Sequence, residues 1–152
     1  GKPSYQAPEI HLPQPFDTAM TDSFSLGVVM FAMGAEDYPW KSTKRKACAL
    51  FEYACMFGFT RLLSKRRLRK GGGESVAEVF SPSFTALLAG LLAKDAGKRL
   101  TLGERRFETP EKSRDRRSSV WDCKWMQQLP LTTTEVGAMA AMPCGTACTV
   151  CP

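Results

Sequence analysis

Cys144, Cys148 and Cys151 cluster toward the C-terminal end, and grouped thiolates are ligands for metal ions and iron–sulfur clusters. They are the metal candidates of this chain, set against a plain Cys-containing, unstructured end. Arg116-Arg117-Ser118-Ser119 places hydroxyls beside guanidinium groups, a target pattern for a basophilic kinase, with a charged linker as the bland alternative. The remaining chemistry is ionic. Residues 41–70 carry ten basic side chains against Glu52 alone, so that segment is +9 in a chain of net charge +6. Such a patch suits an acidic partner or a solvated face. Nucleic-acid binding needs aromatic or groove-forming features beside the charge and is the less favoured reading.

These residues need elements to position them. At 152 residues, 43% hydrophobic and 24% charged, the chain has the composition of one globular domain with an ordinary core. Pro3, Pro8, Pro13 and Pro15 make the first seventeen residues an extended loop with room for one short helical turn. Regular structure is expected to begin near Thr21. From Phe24 to Met33 apolar side chains point in every direction, which reads as a central core helix, with a buried strand as the competing form. Asp22 near its start and Gly34 near its end favour helix.

A turn at Tyr38-Pro39-Trp40 precedes a second helix, capped by Ser42, in which Ala47, Leu50, Phe51, Ala54 and Phe57 recur at helical spacing until Gly58. Residues 61–75 read as a flexible basic loop ending in glycines. Ser81 and Pro82 then open the clearest helix, with Phe84, Leu87, Leu88, Leu91 and Leu92 on one face. Thr101 is expected to cap a short last helix from Leu102. Residues 108–152 read as an unstructured tail, with Trp121, Trp125 and Met126 as a short docking segment. The fold class is therefore mainly α, divided into 1–107 and 108–152. Cys48 and Cys55, two turns apart along one helix, cannot bridge. With no secretory leader and no stretch near twenty apolar residues, the expectation is a reduced, intracellular and cytoplasmic protein without a membrane span.

Gly1-Lys2-Pro3-Ser4-Tyr5-Gln6-Ala7-Pro8-Glu9 resembles the end of a protein-kinase activation segment, with its complete Ala-Pro-Glu triplet. Asp22-Ser23-Phe24-Ser25-Leu26-Gly27 is similar to that family's Asp-x-Trp-Ser-x-Gly segment, with Phe24 in place of Trp. Asp95-Ala96-Gly97-Lys98-Arg99-Leu100-Thr101 is similar to its Asp-Pro-x-x-Arg-x-Thr segment, with Ala96 in place of Pro. The resemblance implies a helical kinase C-lobe of serine/threonine type, beginning inside a motif and hence a fragment. It implies a buried pair between Glu9 and Arg99, and an anchoring role for Asp22, which otherwise serves as a helix N-cap. It also implies substrate contact by Gly1, Lys2, Pro3, Ser4 and Tyr5, although Lys2 replaces the usual Thr.

Phosphoryl transfer in that family needs a glycine-rich phosphate cover, a strand Lys, a catalytic Asp and Asn, and a metal-binding Asp. None of those motifs occurs here: His11 is followed by Leu12, and no Asp precedes Phe-Gly. This chain alone is therefore expected to hold no cofactor and no catalytic residue; ATP and Mg2+ belong to a full-length parent. Its partners are expected to be protein substrates or regulators, and the alternative is a non-catalytic, pseudokinase-like scaffold. As the tail cysteines share their spacing with radical enzymes using S-adenosylmethionine, they remain a separate possibility.

Overall fold

The computed structural model describes residues 1–69, 72–103 and 118–129. The described chain is mainly helical, with isolated bridges at Arg67–Ser75 and Thr101–Ser119 and no strand among the described residues. Helix α1 (Thr18–Ala35) starts earlier than expected, because Asp17 is its cap: the Asp17 carboxylate accepts the Ala19 N–H at 3.0 Å. Asp22 lies a turn inside the helix and is exposed, so it is no N-cap.

One face of α1 buries Met20, Phe24, Val28, Phe31 and Ala35. The other presents Asp22, Leu26, Val29 and Met33 outward at spacings of three and four, and Met33 is 78% exposed. The all-round apolar character that reads as a fully buried helix thus gives a helix covered on one side only. By length and composition α1 does match a membrane span, with 18 residues and mean hydropathy 1.2, contrary to the expectation that no stretch comes near. A core helix passes the same test, and α1 packs on the rest of the lobe.

Helix α2 (Ala49–Phe57) is capped by Cys48, not Ser42, whose hydroxyl instead accepts the Lys44 N–H in the preceding turn. Gly58 ends α2 at a φ of 92°, where a side chain would be strained, and leads into α3 (Phe59–Lys65). The basic stretch from 61 is thus helical rather than loop: Leu62 and Leu63 are buried while Arg61 and Lys65 face water. The segment after it is closed by Leu68 N–H to Glu74 O at 3.1 Å and Val76 N–H to Arg66 O at 2.9 Å. Ser75 and Glu78 then form a reciprocal capping box for α4 (Val76–Val79). Helix α5 (Pro82–Leu91) has the expected Ser81 cap and Pro82 start, and buries Leu87, Leu88 and Leu91.

Trp40 is the hub between α1 and α2. Its ring stacks on Phe24 at 5.8 Å and meets the edges of Phe51 at 5.0 Å and Phe59 at 6.2 Å. Its indole N–H has no partner among the described residues, so there the apolar contacts of the ring must offset roughly 1–3 kcal/mol of lost hydration. A second cluster gathers Phe31, Leu63, Val76, Phe80 and Leu88, and a third joins Leu87 and Leu91 to Val120.

That third cluster overturns the expected end of the fold. Thr101 caps no helix at Leu102; its N–H donates to Ser118 O at 3.1 Å and its carbonyl accepts the Val120 N–H at 2.9 Å. A 3-10 turn at Val120–Asp122 and helix α6 (Lys124–Gln127) follow. Trp125 packs on Phe84 at 5.2 Å, and the Trp121 indole donates to Leu102 O at 3.0 Å. Of the residues read as a docking segment, Trp121 and Trp125 therefore contact their own chain. Arg116, Arg117, Cys144, Cys148 and Cys151 lie outside the described residues.

Close contact between α1 and α5 depends on Gly27, where a Cβ would sit 2.9 Å from Leu91 Cβ. That atom is fixed to the backbone and cannot swing away. Gly27→Ala gains up to about 1 kcal/mol in helix propensity but incurs about 1–3 kcal/mol of overpacking. Urea denaturation is expected to show net destabilisation, with no change for Met33→Ala on the exposed face.

Candidate functional site

Glu9 lies in a 3-10 turn, Pro8–His11, opened by the ring-fixed φ of Pro8 and preceded by the buried Ala7. Arg99 follows a second 3-10 turn, Ala96–Lys98, capped by the Asp95 carboxylate, which accepts the Gly97 N–H at 2.9 Å. Ninety positions apart, the two side chains meet. Arg99 Nη1 donates to Glu9 Oε1 at 2.5 Å and Nη2 to Oε2 at 3.0 Å, a bidentate fork. Arg99 also donates from Nη1 to Met20 O at 2.6 Å and from Nε to Ala93 O at 3.1 Å. Its guanidinium lies over the Phe24 ring at 5.0 Å and the residue is 1% exposed. A cation so far from water needs those acceptors.

The N-terminal loop is pinned along its length. Ser4 Oγ donates to Lys41 O at 3.2 Å, and Ser25 Oγ donates to Tyr5 O at 3.0 Å. Thr43 gives its hydroxyl proton to Gln6 O at 2.7 Å, which leaves His11 Nε2 as the donor in the 3.0 Å bond between His11 and Thr43. Tyr5 donates to the Tyr38 hydroxyl at 3.2 Å, with the rings edge to face at 5.5 Å. That bond and the Lys2 ammonium hold the Tyr38 phenol below its ordinary value, while the donor Tyr5 is raised. Gly1, Lys2 and Pro3 stay exposed, with Lys2 Nζ 3.8 Å from the centre of the Tyr38 ring.

Asp37 and Arg66 organise the other wall, and sequence reading missed both by placing Arg66 in a loose basic loop. Arg66 Nη2 donates to Asp37 Oδ2 at 2.8 Å and Nη1 to Pro39 O at 2.5 Å. Arg69 Nε reaches the same carboxylate at 3.1 Å. The available signal was Glu36-Asp37 just ahead of a turn that leads into a strongly basic run. Between the two walls lies a cleft of about 570 Å³ containing Lys2, Ser4, Lys41, Arg66 and Arg69.

Of the residues named from sequence, Lys2, Pro3 and Ser4 line this cleft, Tyr5 backs its Tyr38 wall, and Glu9 and Arg99 fix the loop from behind. Asp22 is brought to none of them. Cys48, Cys55 and Cys123 are free thiols, and no group of three or more His, Cys, Asp or Glu side chains gathers as a metal site among the described residues. Burial alone raises the Cys48 thiol, but the backbone N–H groups of Lys41, Phe51, Ser42 and Leu50 outweigh it and lower the group, whereas burial raises Cys55. No family model and no curated protein matches the chain.

Removing either Glu9 or Arg99 strands a buried charge, so each alanine variant is expected to lose about 3–5 kcal/mol. The double variant loses less than the sum; additive losses in a denaturant cycle contradict a direct bond. For Asp37, burial alone raises the carboxyl, but the Tyr38 N–H and the Arg66 and Arg69 cations outweigh it and hold the group below 3.8. The folded state therefore binds this proton less readily than the unfolded chain does. Its stabilisation is complete above about pH 4 and is lost as pH falls through the folded value. Stability measured from about pH 5 to about pH 3 is expected to fall less steeply in Asp37→Asn than in the parent chain.

Proposed function

We propose that residues 1–107 are the substrate-side helical lobe of a serine/threonine protein-kinase-like domain, whose phosphate-transferring residues lie outside these 152 positions. The Glu9–Arg99 fork carries this reading. It joins the Ala-Pro-Glu turn to the Asp-x-x-x-Arg turn across ninety positions. The outward stripe Asp22, Leu26, Val29 and Met33 gives further support, as an apolar helix face headed by a carboxylate suits burial against a further segment carrying backbone N–H donors. In this role the Gly1–Tyr5 loop orients a protein substrate beside the cleft, and Glu9 and Arg99 hold that loop in place. The isolated chain transfers no phosphate. A cytoplasmic setting belongs to the same reading and accords with free thiols at Cys48, Cys55 and Cys123.

A scaffold without catalysis is the second reading, and Lys2 favours it. Where the family's Thr offers a hydroxyl, Lys2 turns its ammonium onto the Tyr38 ring.

Phosphotransfer to a serine-containing protein, measured with the complete reading frame and with residues 1–152, separates the two. Activity in the complete frame, absent from 1–152, is expected. A complete frame lacking both the catalytic motifs and the activity, yet still binding partners, leaves the scaffold. Asp22→Ala is expected to leave the stability of 1–152 within about 0.5 kcal/mol, as an exposed site should, while destabilising the complete frame.

A further inference from the structure

We propose that the cleft between the N-terminal loop and the α1–α2 connection binds an anionic side chain of a peptide, as a phosphoserine or paired carboxylates. Lys2, Lys41, Arg66 and Arg69 line it, against Glu36 and Asp37. Asp37 is already neutralised, since one of its oxygens takes both Arg66 and Arg69. Glu36 is also partnered. The cations left to meet a ligand are therefore in surplus, and part of that surplus is fixed in place.

Arg66 is held from three sides, by Asp37, by Pro39 O and by the Phe31 ring at 5.7 Å, so its ordering is complete before any ligand arrives. Arg69, tethered only through Nε and with a side chain 74% exposed, can turn toward a guest. Lys2 is exposed on the N-terminal loop and Lys41 on the α1–α2 connection, and the carbonyl of Lys41 is fixed by Ser4. A tetrahedral or carboxylate anion between ammonium and guanidinium groups receives charge-assisted bonds from both walls.

The carrier follows from what adjoins the cleft. Leu50 and Arg66 also line a neighbouring cavity of about 260 Å³, whose other walls include Ala49, Tyr53 and Leu62. An anion with an apolar neighbour a few atoms away fits this pair of cavities, which is the chemistry of a peptide. A nucleic-acid base finds the Tyr38 ring already covered by Lys2 and met by Tyr5. The choice of a peptide rests on the substrate-side role proposed above, whereas the anion rests on the cleft alone.

Fluorescence anisotropy with residues 1–152 tests it. The probes are a labelled short peptide with one phosphoserine followed by leucine, its serine twin, an Asp-Asp twin and an oligouridine of similar charge, with inorganic phosphate as competitor. The phosphopeptide and the Asp-Asp twin are expected to bind at least about tenfold more tightly than the serine twin. Lys2→Ala with Lys41→Ala should erase that advantage, and Lys44→Ala with Arg45→Ala, outside the cleft, should preserve it. Equal affinity for phosphopeptide and serine twin overturns the proposal, as does a Lys2/Lys41 variant that binds normally. Oligouridine binding more tightly, or inorganic phosphate matching the phosphopeptide, overturns the peptide as carrier. Should that variant lose its helical circular dichroism, amide shifts in the unaltered chain decide: changes at Tyr38, Lys41 and Arg69 uphold the cleft, and changes confined to α5 sink it. Peptide binding by a chain whose complete frame lacks phosphotransfer removes the kinase reading and keeps the anion cleft; the reverse result does the opposite.

Discussion

Arg99 brings a permanent positive charge into a place where water does not reach, and the segments around it are arranged to satisfy it. A guanidinium offers five N–H donors in a planar fork. Here the fork meets both oxygens of Glu9 and the carbonyls of Met20 and Ala93. Those acceptors come from the N-terminal turn, the first turn of α1 and the segment after α5. One side chain therefore fixes three parts of the chain relative to one another. A buried ion pair is a poor source of net stability compared with packed hydrocarbon of the same volume, because both ions lose hydration. Its consequence is positional, since moving any of the three segments leaves a donor or acceptor unmet.

Around that fixed point the cleft forms from two walls of different character. The N-terminal wall is held by hydroxyl-to-carbonyl bonds from Ser4, Ser25 and Thr43, so its course is set with little charge. The other wall is electrostatic, with Asp37 drawing Arg66 and Arg69 together. Trp40 stands between, its ring filling the space that α1 and α2 leave. Polar geometry thus sets the mouth of the cleft and aromatic packing sets its floor.

Much of this arrangement was legible in the residues, and the failures have physical causes. Helix α5 was readable because Ser81, Pro82 and its leucines agree on one start and one face. Gly58 was readable as a stop because its φ of 92° suits glycine. Helix α3 was hidden: Arg61 and Lys65, with Arg66 and Arg67 just beyond, make the stretch read as basic, while Leu62 and Leu63 alone carry the burial. Long basic side chains can lie along a core with their charges in water, so a basic run says little about whether the backbone beneath is helical. The start of α1 was misplaced because Asp17 and Asp22 are both plausible caps, and only backbone geometry selects the first. Thr101 looked like a cap, but the Ser118–Val120 segment claimed its backbone, a long-range pairing that no local pattern records. Glu9 and Arg99 were found through the resemblance of their motifs to a known family; Asp37 and Arg66 were not, since an ion pair across twenty-nine positions leaves no periodic trace.

Nitrogen-15 NMR of the Arg99 side chain is the most direct test of the central constraint. With Glu9 gripping both terminal nitrogens, the Arg99 N–H protons should exchange slowly with solvent and give separate, resolved Nη signals, which Glu9→Gln broadens or merges. A single averaged, rapidly exchanging Arg99 signal, unchanged in Glu9→Gln, would show a solvated and unpaired guanidinium and contradict the fold as described.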